Sequence, residues 1–375
     1  MSEIRVTNVL GENGNSPVNF TKGISMSGIC TAPAFIPSQG QLSHRNIIVN
    51  GAMLISQRGT SSTTSGYATV DRFAVQFGGT DEAATQAQVD VASGTSPYTN
   101  GFRKALKITN GNQTGGAGAA DYIRYRIRLE AQDIANSGWN YTSSSSYITL
   151  SFWIKSSVAQ NFYGHLHAVD GTQQGYPFET GSLTANTWTK ITKTIPGNSN
   201  LTFNNDNALG LEISIYGYLG TDYTASGVSS NAWAAWSSST YTTDQTSTWW
   251  TTNDSTLELT GVQLEVGPQA TPFEHRSFGE ELTLCQRYYF QGDGQNLGAS
   301  LNNYYGCMYG TNNAMIKVSF PTTMRAKPSV TTPSSHSGGG TFSTVYENFT
   351  EIVYYITGDD SVSIAPSEVK ASAEL

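Results

Sequence analysis

The chain has 375 residues, a length that suits two or three domains. Only 13% of the residues are charged, against about 25% in an average globular protein, while the 38% that are hydrophobic exclude a disordered chain. The net charge of −8 and the lack of a basic stripe exclude a nucleic-acid-binding protein, and no apolar run is long enough to predict membrane insertion.

Cysteine usage and the first residues indicate where the chain folds. Met1–Arg5 lack the basic and apolar regions of a signal peptide. The cysteines are odd in number and widely spaced, which predicts free thiols instead of a disulfide framework or a zinc motif: Cys30, Cys285 and Cys307. Free thiols suit a reducing compartment, so we expect a protein made in the cytoplasm.

Residues 1–45 form a distinct segment, in which short alternating runs are broken by Gly and Pro. Such pieces are too short to bury a core alone. Apolar residues nevertheless recur, from Ile4 and Val6 to Phe20 and Phe35, and a pure linker would lack them. We therefore expect an extended N-terminal arm that other chains order and that anchors the protein.

Residues 46–278 contain a series of predicted strands. Over 257–266 the apolar phase slips by one residue at Gly261, as a glycine β-bulge would cause. Elsewhere apolar and polar residues alternate in three long stretches: 122–130, 147–155 and 211–216. Turn signals such as Asn110-Gly111 separate the runs. Many strands without a helical period between them predict an all-β sandwich, a jelly roll of roughly eight or more strands.

The sequence period changes around residues 280–287. Leu282 and Cys285 are three positions apart, and two acids would stand in a first helical turn, where the helix dipole favours negative charge. We expect a short helix that joins the jelly roll to a last domain within 279–375. Alternating runs return in that domain and predict a small C-terminal β-sandwich: 314–320, 341–346, 352–356 and 361–364.

Several stretches together resemble a family of tail-fibre and virion structural proteins of tailed bacteriophages, frequent in phages of marine bacteria. They occur in the same order over roughly residues 46 to 330. The stretches are Asn46–Met53 with Gln57–Gly59 and Val70–Phe73, Leu150–Lys155, Gly261–Gly267 with Thr271–Glu274, Glu281–Tyr289, and Phe320–Pro328.

The resemblance implies a jelly roll like that of carbohydrate-binding modules, followed by a small C-terminal β domain. It also implies a place in the virion and, for a fibre, usually a homotrimer. Residues 1–45 resemble adaptor arms that plug fibres into another virion protein. The family offers no catalytic signature that can be carried over to residues of this chain.

An aromatic cluster in a Ser/Thr-rich stretch is the first candidate site. Indoles offer broad flat faces to the C–H faces of sugars, and their N–H groups can still donate hydrogen bonds. The candidate glycan-binding residues are Trp233, Trp236, Tyr241, Trp249 and Trp250. The alternative is that these rings pack against the sandwich or against a sister subunit.

A ladder of three arginines is the second candidate site. Arg124, Arg126 and Arg128 alternate along one predicted strand and therefore share a face. They could grip phosphate or sulfate on a surface polysaccharide. The alternative is pairing with acids on adjacent strands, such as Glu212 or Glu258.

Two weaker patterns concern metals. His165 and His167 share a strand face and could ligate one metal, but the Glu of a cupin-type site is missing, and a polar surface pair is the alternative. Oxygen ligands for a structural calcium ion could come from three residues: Asn50, Asp71 and Glu265. No other cofactor is expected.

Glycoside hydrolysis would need two carboxylates that flank one bond. The conceivable pairs are Asp170 with Glu179 and Asp206 with Glu212, but acids are sparse and no groove is indicated. The chain also lacks the internal repeat of the β-helix depolymerases of phages. We therefore expect that the protein is not an enzyme.

Together these patterns predict an all-β virion fibre protein, a homotrimer that anchors through residues 1–45 and binds host surface glycan with its jelly roll or C-terminal domain. Assembly into a virion and release by lysis would carry it out of the cell without a signal peptide. One alternative is a purely architectural decoration of capsid or tail that binds no receptor. The other is a polysaccharide depolymerase.

Overall fold

The computed structural model describes residues 43–292, 304–305, 307–333, 336–337, 340–358, 363–364 and 369–375. All of these belong to one compact unit, 39–375. The anchoring arm predicted for residues 1–45 lies outside the described residues except for 43–45. The described part is all-β, as the sequence predicts.

Two six-stranded antiparallel sheets form the main sandwich. Sheet I has the order β1 (Ser61–Ser62), β3 (Thr85–Asp90), β4 (Lys104–Thr109), β12 (Thr256–Val266), β6 (Tyr147–Ser156) and β9 (Thr189–Pro196). Sheet II has the order β11 (Ala234–Ala235), β8 (Gln174–Ser182), β7 (Asn161–Ala168), β10 (Leu209–Leu219), β5 (Tyr122–Glu130) and β2 (Phe73–Gly78). Successive strands β4, β5 and β6 alternate between the two sheets, as in the predicted jelly roll.

The alternation of side chains decides what enters the core between the sheets. On β5, Ile123, Tyr125 and Ile127 point inward and are fully or almost fully buried, while the arginines between them remain half-buried. Ile213 on β10 lies opposite Ile127 and is buried with it. Burying an aliphatic side chain of this size contributes roughly 1.5–3 kcal/mol, so each inward row holds the sheets together.

The predicted glycine bulge in β12 is confirmed. The register of β12 against β6 shifts between Thr260 and Gln263, and Gly261 has a φ of +64°. A Cβ atom at Gly261 would stand 2.7 Å from the ring of Phe102, so glycine suits both the backbone and the space.

Four short α-helices and one turn of 3₁₀-helix interrupt the described strands: α1 (Ser96–Thr99), α2 (Ala131–Ala135), η1 (Thr221–Tyr223), α3 (Thr248–Thr251) and α4 (Phe278–Gln286). Helix α4 is the predicted linking helix. The Ser277 hydroxyl caps it by accepting from the Glu280 N–H at 3.3 Å. Among the described residues, no helix combines the length and the apolar character needed to cross a membrane.

Smaller antiparallel sheets follow helix α4. One has the order β13 (Tyr289–Gln291), β22 (Lys370–Ser372) and β17 (Ser329–Val330), and a second has β14 (Tyr304–Tyr305), β21 (Ser363–Ile364) and β18 (His336–Ser337). The third has the order β15 (Cys307–Gly310), β16 (Asn313–Ser319), β20 (Glu351–Thr357) and β19 (Thr341–Glu347). Their inward side chains, among them Ile316, Ile352 and Tyr354, form a second core.

Ion pairs join the main sandwich to the C-terminal strands. Glu374 pairs with Arg72 and, at 3.1 Å, with Arg58. Arg58 also lies over the ring of Tyr289, with its guanidinium carbon 3.6 Å from the ring centroid. Arg287 pairs with the fully buried Glu130 at 2.8 Å. These contacts hold helix α4 and the C-terminal strands against the start of β2 and the end of β5.

Candidate functional site

The outer face of sheet II carries the arginine ladder. Ile123, Tyr125 and Ile127 of β5 face the core. The three arginines that alternate with them therefore face outward. The strand register places Tyr216 beside Arg124, Ser214 beside Arg126 and Glu212 beside Arg128. On the next strand, β7, His165 and His167 continue the same rows.

Glu212 forms ion pairs with two of the three arginines. Its carboxylate oxygens lie 3.1 Å from Arg124 Nη1 and 2.9 Å from Arg128 Nε. Burial alone would raise the pKa of Glu212, but Arg124 and Arg128 outweigh burial and lower it, so the carboxylate stays charged. The alternative of pairing with Glu212 therefore holds for Arg124 and Arg128. Glu258 pairs instead with Lys155, on sheet I.

A segment that we call the strap, residues 221–246, lies over the β7 side of this face. Trp236 stacks on His167, with ring centroids 3.6 Å apart, and Tyr241 stacks on Trp236 at 4.6 Å. Tyr223 continues the row at 5.6 Å from Tyr241. We call these four rings the aromatic stack. Aromatic pairs contribute about 0.5–1.5 kcal/mol each beyond the area they bury, so the stack fixes the strap to the sheet.

His165 is fully buried beneath the strap. Its Nδ1 lies 3.1 Å from the hydroxyl of Tyr216, and its ring also contacts Trp236 and Tyr241. Burial, with help from the nearby Arg124 and against the opposite effect of Glu212, lowers the pKa of His165 to about 3. The imidazole is therefore neutral. The alternative of a polar surface pair is wrong for this residue, because the strap covers it.

A cleft of about 170 Å³ opens beside the aromatic stack. It is lined by Tyr122, Arg124, Tyr216, Leu219, Tyr223 and Tyr241. Tyr122 meets Tyr223 edge to face, with ring centroids 6.3 Å apart. The cleft is smaller than the pockets that hold drug-sized ligands, and its size suits a single small ring. Its walls offer aromatic faces, hydroxyl groups and a guanidinium.

The structure separates the candidate tryptophans. Trp249 and Trp250 are fully buried in the main core, where their Nε1 atoms donate to the carbonyl oxygens of Thr256 and Gly116. Neither can meet a ligand, so their prediction as glycan-binding residues is wrong and packing against the sandwich is the outcome. Trp233 is half-buried and donates to the carbonyl of Pro196 at 2.7 Å. Trp236 and Tyr241 belong to the aromatic stack.

The predicted calcium ligands are engaged by donors of the protein itself. Asn50 bonds to the backbone of Ile55 and Asp71, and the Asp71 carboxylate is used by Gln57 and Arg58. Glu265, on strand β12 of sheet I, accepts hydrogen bonds from Gln263 and from Thr271. Within the described ranges, no group of three or more His, Cys, Asp or Glu side chains could hold a metal ion. Calcium at these residues would have to displace the protein donors that their side-chain oxygens accept from.

The carboxylates considered for hydrolysis bind separate partners. Asp170 accepts from Asn204, and Glu179 accepts from Asn161 at 2.6 Å. Asp206 accepts from the backbone N–H of Ala208. The residues that line the cleft include no Asp or Glu.

A larger cavity of about 520 Å³ lies where residues 44–49 meet helix α4. Its walls include Arg276 and Arg287, which pair with Glu281 and Glu130. These ion pairs hold elements of the fold together. We therefore place the candidate site at the smaller cleft, where aromatic and polar groups converge beside the strap.

Sequence reasoning missed Tyr122, Tyr216 and Tyr223. Tyr122 stands two residues before Arg124 on the same strand, so alternation alone placed it on the arginine face. Tyr216 follows from the alternation of β10 in the same way. Tyr223 lies in the strap, which has no period, and no signal in the sequence points to it.

No protein-family model matches this chain, and no curated protein matches it. Among solved structures, it is similar to the enzymatically active domain of tailspike protein 4 of bacteriophage CBA120, with 9% identity and a TM-score of 0.31 over 59% of this chain and 21% of that one. It is also similar to the N-terminal cellulose-binding domain of Cellulomonas fimi β-1,4-glucanase C, with 14% identity and a TM-score of 0.27 over 58% and 99%. The family 11 carbohydrate-binding module of Clostridium thermocellum, in complex with a mixed-linked tetrasaccharide, matches at 11% identity and a TM-score of 0.24 over 58% and 98%. These TM-scores are too low to define a function, which we infer from the geometry of the site.

Proposed function

We propose that this chain is a structural protein of a phage virion fibre and that it binds carbohydrate on the outer face of sheet II. The observation that carries the binding proposal is the cleft, which Tyr122, Tyr223 and Tyr241 line together with Arg124. The strap lines this cleft on one side, and strands β5 and β10 line the rest.

The cleft matches the chemistry of a sugar ring. Tyrosine rings present apolar faces to C–H groups, and their hydroxyls can donate to or accept from sugar hydroxyls. Arg124 is held by Glu212 and by the amide oxygen of Gln76 at 2.8 Å, so its position is fixed before any ligand arrives. A preorganised site loses less conformational entropy on binding. Several copies of such a weak site on one fibre would give useful avidity.

The virion role rests on the resemblance of residues 46 to 330 and on the composition. Under this proposal residues 1–45 attach the fibre to another virion protein, and three copies form the fibre. The low charge of the body supports assembly with other chains, and so does the exposure of Tyr346 and Phe349, which are 61% and 49% exposed. A scattering mass three times that of the chain, from light scattering after size exclusion, is the result expected. A stable monomer at micromolar concentration would refute the trimer.

We propose binding rather than catalysis at this site. Glu212 is the carboxylate nearest the arginine ladder, and both of its oxygens are engaged by arginines that keep it ionised. A charged carboxylate locked in this way cannot act as the general acid of glycoside hydrolysis. Incubation with polysaccharide should therefore release no reducing ends.

Affinity gel electrophoresis with a panel of bacterial surface polysaccharides tests the binding proposal. Tyr122→Ala removes one wall of the cleft and leaves the aromatic stack in place. Tyr98→Ala is the matched control, because Tyr98 is a half-buried tyrosine near sheet I.

We expect at least one polysaccharide to retard the parent protein, with several-fold weaker retardation for Tyr122→Ala and parent-like retardation for Tyr98→Ala. The proposal fails if no polysaccharide in the panel retards the parent. It also fails if the two variants bind like the parent or lose binding equally.

A further inference from the structure

Arg126 differs from Arg124 and Arg128 because it has no acidic partner among the described residues. Among the described residues it makes no ion pair, and its Nε is buried without a hydrogen bond. Arg124 and Arg128, on either side, share Glu212. The terminal guanidinium nitrogens of Arg126, unlike those of Arg124 and Arg128, make no hydrogen bond to a described residue.

Small residues flank Arg126 on the outer face of sheet II. The register places Ala74 of β2 on one side and Ser214 of β10 on the other, and both are small. Beyond Ala74, a β-bridge joins Gly66 to Val75, which brings Tyr67 to the same row. The hydroxyl of Tyr67 is also buried without a hydrogen-bond partner. Two donors without protein acceptors therefore share one row of the sheet.

The local charge favours an anion. Within the ladder three guanidinium groups, those of Arg124, Arg126 and Arg128, stand against one carboxylate, that of Glu212. The excess is positive although the whole chain has a net charge of −8. Like charges beside a partly buried guanidinium raise its free energy, and an anion placed there would lower it.

We propose that Arg126 binds an anionic substituent, a sulfate ester or a uronate carboxylate, of the glycan held in the neighbouring cleft. This inference rests on the proposed function, because the cleft binds the sugar ring and Arg126 binds its charge. Arg126 lies two residues from Arg124 along β5, which is about 7 Å at the usual rise of a strand. A substituent on the same or the adjacent sugar spans that distance. The planar guanidinium can donate two parallel hydrogen bonds to either oxyanion.

The test compares matrices that share one backbone: dextran, dextran sulfate and carboxymethyl-dextran in affinity gels. Arg126→Gln removes the charge and keeps an amide donor. Arg103→Gln is the matched control, because it changes the net charge equally near sheet I, where Arg103 donates to the carbonyls of Tyr98 and Phe102. The two charged matrices distinguish a sulfate from a carboxylate ligand.

We expect one charged matrix to retard the parent more strongly than dextran does. Arg126→Gln should weaken that retardation roughly ten- to a hundredfold, the effect of losing hydrogen bonds to a charged group. Arg103→Gln should bind like the parent.

Three results would overturn the inference: charged matrices that bind no better than dextran, an Arg126→Gln protein that binds like the parent, or equal losses in the two variants. If a neutral polysaccharide of the earlier panel retards the parent while the charged matrices do not, the proposal of carbohydrate binding is supported and the proposal of an anionic ligand is refuted. If no polysaccharide binds at all, the proposed function falls as well.

Discussion

The contribution of His165 to the free energy of unfolding should fall in mild acid. The strap and sheet II bury this imidazole, and burial lowers its pKa from 6.5 to about 3. Between these values the unfolded chain binds a proton at His165 that the folded chain does not bind. The contribution of His165 to the free energy of unfolding is therefore complete above pH 6.5 and falls as the pH falls.

The size of the effect follows from the two pKa values. The free energy of unfolding that His165 contributes falls by about 1.4 kcal/mol for each pH unit below the unfolded pKa. Between about pH 7.5 and about pH 5 the total fall is about 2 kcal/mol. Asp71 and Asp133 act in the opposite direction, because burial raises the pKa of each to about 6. Their contribution is complete below the unfolded pKa of 3.8 and is lost as the pH rises through about 6.

A His165→Gln variant isolates the histidine, because it keeps both aspartates and retains an amide that can bond to Tyr216. Urea unfolding, followed by far-ultraviolet circular dichroism at about pH 7.5 and about pH 5, gives the free energy of unfolding of each protein. The parent should lose about 2 kcal/mol more than the variant between the two pH values. The same pH dependence in both proteins would refute the burial of His165 beneath the strap.

Three further changes probe the fold. Trp250→Ala empties a fully buried site and should cost about 3–5 kcal/mol in urea unfolding, and a loss below about 1 kcal/mol would contradict its place in the core. Glu374→Gln leaves Arg72 buried without its carboxylate and should lower the free energy of unfolding, measured in the same way, by about 3 kcal/mol. An unchanged stability would contradict the ion pairs between the main sandwich and the C-terminal strands. Gly261→Ala meets both a φ of +64° and the ring of Phe102, so its melting temperature should fall, and an equal or higher melting temperature would argue against the bulge.

The strands were predictable because their signal is local. Alternation needs only the order of residues along one strand, so β5, β6 and β20 could be placed to within about one residue, and the bulge at Gly261 followed from the slipped phase. The linking helix α4 followed from its first-turn acids in the same way.

The site was predictable only in part, because it depends on which loop covers which face. Alternation placed the arginines and histidines on the outer face of sheet II, but nothing in the sequence shows that the strap covers His165. The two adjacent tryptophans 249 and 250 occur in a Ser/Thr-rich stretch like that of Trp236, yet helix α3 turns both into the core. Composition cannot distinguish these outcomes, since the strap has no period to reveal its inward side.

Hydrogen–deuterium exchange of the full chain tests the central claim most directly, with and without a polysaccharide that retards it in the gel. Our account predicts slower exchange of β5 and of the strap, 221–246, when the polysaccharide is bound, and unchanged exchange on sheet I. Protection confined to sheet I or to the C-terminal strands would contradict the assignment of the binding site to the outer face of sheet II.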